Sequence, residues 1–113
     1  MKIEKFHIYL ADLNPRFGTE PGKIRPVIVI QTNMLNKIHP STIVLPVTTK
    51  IIKDVSILRI HIGKDESNLK EDSDIIIDQI RAIDNRRLIK HIGELSEECK
   101  QKIIKNLKVI LFE

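Results

Sequence analysis

Along most of this chain, apolar residues recur at every second position, and that pattern restricts the fold more than any other feature. The segments FHIYLADL (residues 6–13) and SILRIHIG (residues 56–63) alternate in this way, which is typical of half-buried β-strands. Pro26–Thr32 and Thr42–Thr48 are instead continuous runs rich in β-branched residues, which predict strands covered on both faces. SDIIIDQIRAI and LIKHIGEL add two further strands. The sequence therefore predicts a mainly β protein of five or six short strands.

The period changes once, near the end of the chain, where the pattern predicts one amphipathic helix. Ser96 is a suitable N-cap, and Glu97 and Glu98 follow it in the first turn, where carboxylates favour the positive end of the helix dipole. We expect one face of this helix to carry Cys99, Ile103, Ile104, Leu107 and Leu111. One helix on a few short strands favours a small, curled antiparallel sheet or partly open barrel, in a single domain spanning residues 1–113.

The charge balance and the cysteine count limit the functional classes. Lys and Arg number 19 against 15 Asp and Glu, so the net charge is +4. An acidic segment, residues 64–78, separates two basic stretches, which could receive a polyanion or could simply be solvated surface. A single cysteine excludes an intramolecular disulfide framework and fits a reducing compartment. Because no apolar run is long enough to span a membrane, we expect a cytoplasmic protein with no membrane partner.

Two of the predicted strands carry polar side chains at their ends. Pro26 cannot donate a hydrogen bond to a β-ladder, so we expect it to begin a strand or lie at an edge. That places Arg25 just outside the sheet, at its rim. Thr48 and Thr49 end the following strand on a similar rim.

A carboxylate and an amide, Asp78 and Gln79, interrupt the otherwise apolar run DIIIDQIRAI. A strand interior has little reason to hold such groups. Ordinary capping and turn chemistry explains them as well as a binding site does, and the residues alone leave both interpretations open. The four histidines are not spaced as metal ligands, and no glycine loop that binds phosphate is present, so we expect neither a metal nor an organic cofactor.

Three segments, in this order, resemble a known protein family. They are IYLADLNPRFGTEPGKIRPVIVIQTN, TIVLPVTTK and DQIRAIDNRRLIKHIGEL. Together they cover nearly the whole chain, and they are similar to the MazF/PemK family of toxin endoribonucleases from type II toxin–antitoxin systems. The block DLNP…GTE…RPVIVI is the most specific part of the resemblance.

This resemblance implies a fold, an activity and a partner. The implied fold is an SH3-like, PemK-like antiparallel barrel with a C-terminal helix that forms homodimers. The implied activity is metal-independent cleavage of single-stranded RNA, commonly mRNA, at short specific sequences. A cognate antitoxin with an acidic, disordered tail is expected to hold the enzyme inactive.

The resemblance also implies roles for individual residues. By motif, Arg25 and Thr48 match the catalytic pair, and Asp78 matches a position proposed as general base in some members. Gln79 matches a substrate contact, and Thr19 stands where the family usually has a serine in the substrate loop. An arginine can grip phosphate in a bidentate way and stays charged, so we expect Arg25 to stabilise charge rather than to donate a proton.

The loop of residues 14–22 is the predicted substrate loop. Phe17, next to Arg16, is a candidate for stacking on an unpaired base, although it could equally pack within the protein. Lys23 and Thr49 complete the candidate substrate-binding residues.

The chain departs from the family pattern at two places. Phe6 and His7 replace the usual Gly-Asp pair, and Ile76 stands where some members have an arginine. We expect Arg16, Lys23 or Arg81 to supply that charge. Two other classes of function stay open: a gyrase-inhibiting toxin of the same fold, and a non-catalytic SH3-like binding module.

Overall fold

A computed structural model describes all residues, 1–113, as one antiparallel sheet and two helices. The elements in chain order are β1 (His7–Asp12), β2 (Ile24–Val29), α1 (Asn33–Asn36), β3 (Ser41–Thr48), β4 (Arg59–Ile62), β5 (Ser73–Ile76), β6 (Arg81–Asp84), β7 (Leu88–Glu94) and α2 (Glu97–Phe112). The predicted mainly β class and the C-terminal helix are confirmed. The strands number seven rather than five or six.

The sheet is strongly curled but not closed. Its strands follow the order β4-β5-β3-β2-β1-β7, and β6 pairs with β3 beside β5. All the pairings are antiparallel. The prediction of a partly open barrel is therefore confirmed, with β4 and β7 at the two ends of its strand order.

Two prolines lie inside strands at points where no ladder needs their missing N–H. Pro26 faces Leu10 on β1, and β2 pairs with β3 only from Val27 onward, so Pro26 precedes that ladder. Pro46 lies between the part of β3 that pairs with β6, which ends at Val44, and the part that pairs with β5. Pro26 does not begin its strand, but it lies where β2 is paired on one side only, which is the edge alternative of the expectation.

The segment SDIIIDQIRAI forms two strands rather than one. A single 3₁₀ turn, Ile77–Gln79, separates β5 from β6. Because the turn redirects the chain, β5 pairs with the end of β3 and β6 with its beginning. The polar pair Asp78 and Gln79 lies in this turn, which explains why a carboxylate and an amide interrupt an apolar run.

The hydrophobic core has two parts, one on each face of the sheet. The larger cluster lies between the sheet and α2, where Cys99 and Ile103 are buried. Ser96 caps the helix as predicted, accepting a hydrogen bond of 3.2 Å from the backbone N–H of Cys99. The predicted apolar face is wrong at Ile104 and Leu111, which are exposed. Leu107 packs against the core together with a residue not predicted there, Ile110.

The strand predicted over Pro26–Thr32 ends early, at Val29. Thr32 instead caps the short helix α1 by accepting a hydrogen bond from the backbone N–H of Met34. The buried amides of Gln31 and Asn36 hydrogen-bond to each other at 3.0 Å and close this turn. No helix of the protein has the length and hydropathy needed to cross a membrane.

The buried thiol of Cys99 gives a first testable prediction. Burial raises its pKa to about 11, which lowers the thiolate fraction near neutral pH about a hundredfold relative to an ordinary cysteine. We expect Ellman's reagent to react with the folded protein at least that much more slowly than with the protein unfolded in guanidinium. Equal rates in the two states would show that this thiol is not buried between α2 and the sheet.

Candidate active site

A row of polar side chains crosses one face of the sheet. In the antiparallel pairing, Asp74 on β5 faces Thr48 on β3 and His61 on β4. In the β2–β3 pair, Val27 faces Pro46. Continuing this register by two residues along each strand sets Arg25 opposite Thr48. Directly opposed residues present their side chains on the same face. Arg25, Thr48, Asp74 and His61 therefore form one row across four strands.

Arg25 was predicted to lie just outside the sheet, but it lies within β2. It is half-buried, and its Nε donates to the carbonyl oxygen of Gly22 at 2.7 Å. Its Nη1 points toward the carbonyl oxygen of Val47 at 3.4 Å, which ties it to the residue before Thr48. Burial, and then the positive charge of Arg16, lowers the pKa of Arg25. Both effects disfavour the charged guanidinium, so an anion that binds to Arg25 would stabilise it.

Thr48 is the last residue of β3, at the rim where it was predicted. Its hydroxyl oxygen accepts a hydrogen bond from the backbone N–H of Lys50 at 3.1 Å. Because that oxygen is the acceptor, the hydroxyl proton remains free to donate to a ligand. A guanidinium and a hydroxyl donor thus lie side by side at the ends of β2 and β3.

A small cleft of about 230 Å³ brings together three more of the predicted residues. Thr19 from the loop before β2 and Asp78 and Gln79 from the 3₁₀ turn line it. Arg59 of β4 and Ile52 of the segment after β3 also line it. The cleft therefore combines polar and apolar lining residues, which suits a flat group with a polar edge.

Comparison with known proteins identifies the family of this chain. The sequence model of the family described as PemK-like, MazF-like toxin of type II toxin–antitoxin system matches residues 4–111. The chain is 35% identical over 111 residues to Endoribonuclease EndoA of Bacillus subtilis (strain 168), covering 98% of this chain and 96% of that protein. The chain belongs to the PemK/MazF toxin family.

Solved structures show the same fold. MazF (Form-I) from Deinococcus radiodurans has a TM-score of 0.85 at 19% identity and is covered over 99% of its chain and 100% of this one. An endoribonuclease in complex with its cognate antitoxin, from a mycobacterial species, has a TM-score of 0.75 at 16% identity. It covers 97% of this chain, which covers 93% of that one. The fold is thus that of the PemK/MazF toxins.

The remaining predicted contacts lie in the loop of residues 14–22 and at Lys23 and Thr49. Phe17 is 72% exposed, so its ring is free to stack on a ligand rather than committed to packing. Arg16 lies over Gly22, where an added Cβ would come within 2.7 Å of the Cβ of Arg16. Lys23 is exposed, with a positive φ of 66°. Thr49 is exposed and lines neither the small cleft nor the larger cavity described next.

A larger cavity of about 780 Å³ lies beyond Asp74 and was not predicted from the sequence. It is lined by the segment Ile51–Ser56, by β4 and by α2, including Lys102 and Lys105. Arg59 borders both this cavity and the small cleft.

Sequence reasoning missed Arg59. It faces Ile76 across the β4–β5 pair, and so brings a cation beside the residue that departs from the expected arginine. The prediction named Arg16, Lys23 or Arg81 for this charge. Arg59 looked like an ordinary polar residue of an alternating strand, and only the register of two strands distant in sequence could have singled it out.

The histidines form no metal site. No group of three or more histidine, cysteine, aspartate or glutamate side chains lies close enough to hold a metal ion. Nδ1 of His7 lies 2.9 Å from Nε2 of His91, and the His7 side chain is only 19% exposed. This pair joins β1 to β7.

Proposed function

We propose that this PemK/MazF family protein is a toxin endoribonuclease that cleaves single-stranded RNA, commonly mRNA, in the cytoplasm. The observation that carries the proposal is the adjacency of Arg25 and Thr48 at the ends of β2 and β3. The guanidinium of Arg25 lies beside the hydroxyl of Thr48, whose proton is free to donate. The 35% identity to an endoribonuclease over nearly the whole of both chains supports it. We propose further that neither a metal ion nor an organic cofactor takes part.

In this proposal the reaction uses the RNA's own 2′-OH as the nucleophile. The attack is intramolecular, so the enzyme needs only to hold the phosphodiester in line and to manage charge and protons. Arg25 binds the non-bridging phosphate oxygens and stabilises the charge that accumulates on them. The Thr48 hydroxyl donates to the same group. Asp78, an exposed carboxylate beside the small cleft, accepts the 2′-OH proton as the 2′-oxygen bonds to phosphorus. The bond from phosphorus to the 5′-oxygen then breaks, and that oxygen leaves as a 5′-hydroxyl by taking a proton from water.

Recognition of the RNA is assigned to the cleft and the loop around it. The amide of Gln79 and the hydroxyl of Thr19 line the small cleft and can hydrogen-bond the edge of an unpaired base. The exposed ring of Phe17 supplies a stacking surface. Arg16, Lys23 and Thr49 bind the phosphates or sugars that flank the cleaved bond.

The test of this function is cleavage of a long single-stranded RNA by the purified protein in the presence of EDTA. We expect discrete fragments that carry 5′-hydroxyl ends and 2′,3′-cyclic or 3′-phosphates, since the 2′-OH attacks the adjacent phosphorus. A 2′-O-methyl group at the mapped site should abolish cleavage there, because it removes the nucleophile. An RNA that remains intact would overturn the proposal and leave the two protein-binding functions, gyrase inhibition or an SH3-like module, as the alternatives.

We propose that the protein forms a homodimer. Several large apolar side chains are exposed on α1, just after α1 and at the end of α2, among them Met34, Ile38 and Phe112, and a symmetric dimer could cover part of this surface. Light scattering should give twice the monomer mass at micromolar concentration.

We also propose a cognate antitoxin whose acidic, disordered tail occupies the RNA site. One of the structural neighbours is an endoribonuclease in complex with its cognate antitoxin. Arg16, Lys23 and Arg25 give this chain a basic rim that attracts carboxylates as well as phosphates.

This partner leads to a prediction about competition. An RNA whose cleavage site carries a 2′-O-methyl group and a peptide of the antitoxin's acidic tail should displace each other. The affinity of the peptide should fall as salt rises, because the attraction is between charges near the surface. Fluorescence anisotropy with labelled RNA measures both effects. Simultaneous binding without mutual effect would show that the tail binds elsewhere.

A further inference from the structure

Asp74 is a buried carboxylate that the proposed reaction does not use. Its side chain is 2% exposed, although it lies next to Thr48 in the polar row. Burying a charge is costly unless it is paired and hydrogen-bonded. The groups that bind the carboxylate must therefore account for its burial.

Those groups come from two separate segments, the chain that follows β3 and the strand β4. Oδ2 of Asp74 accepts a hydrogen bond from the backbone N–H of Ile52 at 3.0 Å and one from Nη1 of Arg59 at 3.3 Å. Nδ1 of His61 lies 3.4 Å from Oδ1. Arg59 Nη1 also donates to the carbonyl oxygen of Lys50 at 3.1 Å. The carboxylate and the guanidinium together hold the chain that follows Thr48 at two backbone points.

The held segment, Lys50–Val55, forms one wall of the small cleft. Ile52 and Val55 line it together with Arg59, Asp78 and Gln79. The segment has few other contacts that hold it in place, since residues 49–54 are exposed. Asp54 within it has a positive φ of 65°. Without the Asp74–Arg59 pair, the width of the cleft would depend on a surface loop.

We propose that Asp74 is a positioning residue that acts through Arg59 and the Ile52 N–H to fix the cleft wall at which RNA is read. The pair sets the distance between Ile52 and the turn that carries Asp78 and Gln79. It therefore acts on binding of the base in the cleft, and the chemistry at Arg25 and Thr48 is left in place. This inference rests on the proposed endoribonuclease function.

The first test separates binding from chemistry. Asp74→Asn keeps the side-chain size and removes the charge. With a single-stranded RNA oligonucleotide containing the mapped site, we expect KM to rise about tenfold and kcat to change by less than about threefold. Asp84→Asn is the matched control, because it removes the aspartate of an exposed Asp–Arg pair, Asp84–Arg86, and should leave both constants unchanged. An unchanged KM, or a fall in kcat with KM constant, would overturn the proposal.

The second test does not depend on RNA cleavage. Amide hydrogen exchange at Ile52 should become at least about tenfold faster in Asp74→Asn, because its N–H loses its charged acceptor. Val47, inside the β-ladder, should stay protected. If Ile52 exchange is unchanged, the positioning proposal fails even when cleavage is normal. If the exchange changes but no RNA is cut, the proposed function fails and the anchoring contact stands.

A double-variant comparison tests whether Asp74 acts through Arg59. Arg59→Gln should raise KM by a similar factor. Combining it with Asp74→Asn should raise KM little further, since both substitutions remove the same contact between Asp74 and Arg59. Fully additive effects would overturn the coupling. Should Asp74→Asn fail to fold, Arg59→Gln and its Ile52 exchange decide the question alone, because Arg59 is partly exposed and its loss leaves the core intact.

Discussion

Replacing Arg25 with alanine is expected to lower kcat for RNA cleavage roughly a hundred- to a thousand-fold, the usual cost of losing one group that stabilises developing negative charge. Arg25→Lys should recover little, because an ammonium group cannot grip phosphate in a bidentate way. The measurement is single-turnover cleavage of a labelled RNA oligonucleotide, at a temperature well below the unfolding transition of each variant.

The folded state must be monitored in the same samples. Arg25 donates to two backbone carbonyls, so alanine should also cost about 1 kcal/mol per lost hydrogen bond in the free energy of unfolding. Circular dichroism spectra should nevertheless match the wild type. Arg86→Ala is the control, since Arg86 is 90% exposed in a turn and pairs only with Asp84. Cleavage by Arg25→Ala at the wild-type rate would remove Arg25 from the reaction.

The elements that could be predicted from the sequence are those whose signal is local. Ser96 and the glutamates after it define the start of α2 within a few residues, and the β-branched runs around Pro26 and Pro46 define β2 and β3. The break between β5 and β6 could not be assigned, because a 3₁₀ turn of three residues has no periodicity of its own. Asp78 and Gln79 were recognised as misplaced in a strand, which was the correct signal for that turn.

The candidate site residues that could be predicted are those that belong to family motifs. Arg25, Thr48, Thr19, Asp78 and Gln79 were named by motif, and the fold brings Arg25 to Thr48 and the other three to one cleft. Arg59 and Asp74 were not found. Their partnership depends on the pairing of β4 with β5 and of β5 with β3. Strand register between segments far apart in sequence is set by packing and cannot be read from local residue patterns.

Asp78 gives the second large expected effect. Asp78→Asn preserves the shape of the side chain but removes its ability to accept a proton. General base catalysis contributes about a hundred- to ten-thousand-fold, so we expect kcat to fall within that range while KM stays close to the wild-type value. Asp65→Asn is a matched control, because Asp65 is likewise exposed and is the middle residue of a 3₁₀ turn, Lys64–Glu66. It should cleave RNA at the wild-type rate.

A modified substrate distinguishes a base from an acid at this position. When sulfur replaces the bridging 5′-oxygen, the leaving group departs without being protonated, so the reaction no longer needs a general acid but still needs the 2′-OH proton removed. If Asp78 is the base, Asp78→Asn should remain as defective on this RNA as on the natural one. Recovery of the rate on the sulfur substrate would assign Asp78 to protonation of the leaving group. Full activity of Asp78→Asn on both substrates would show that neither proton passes through it.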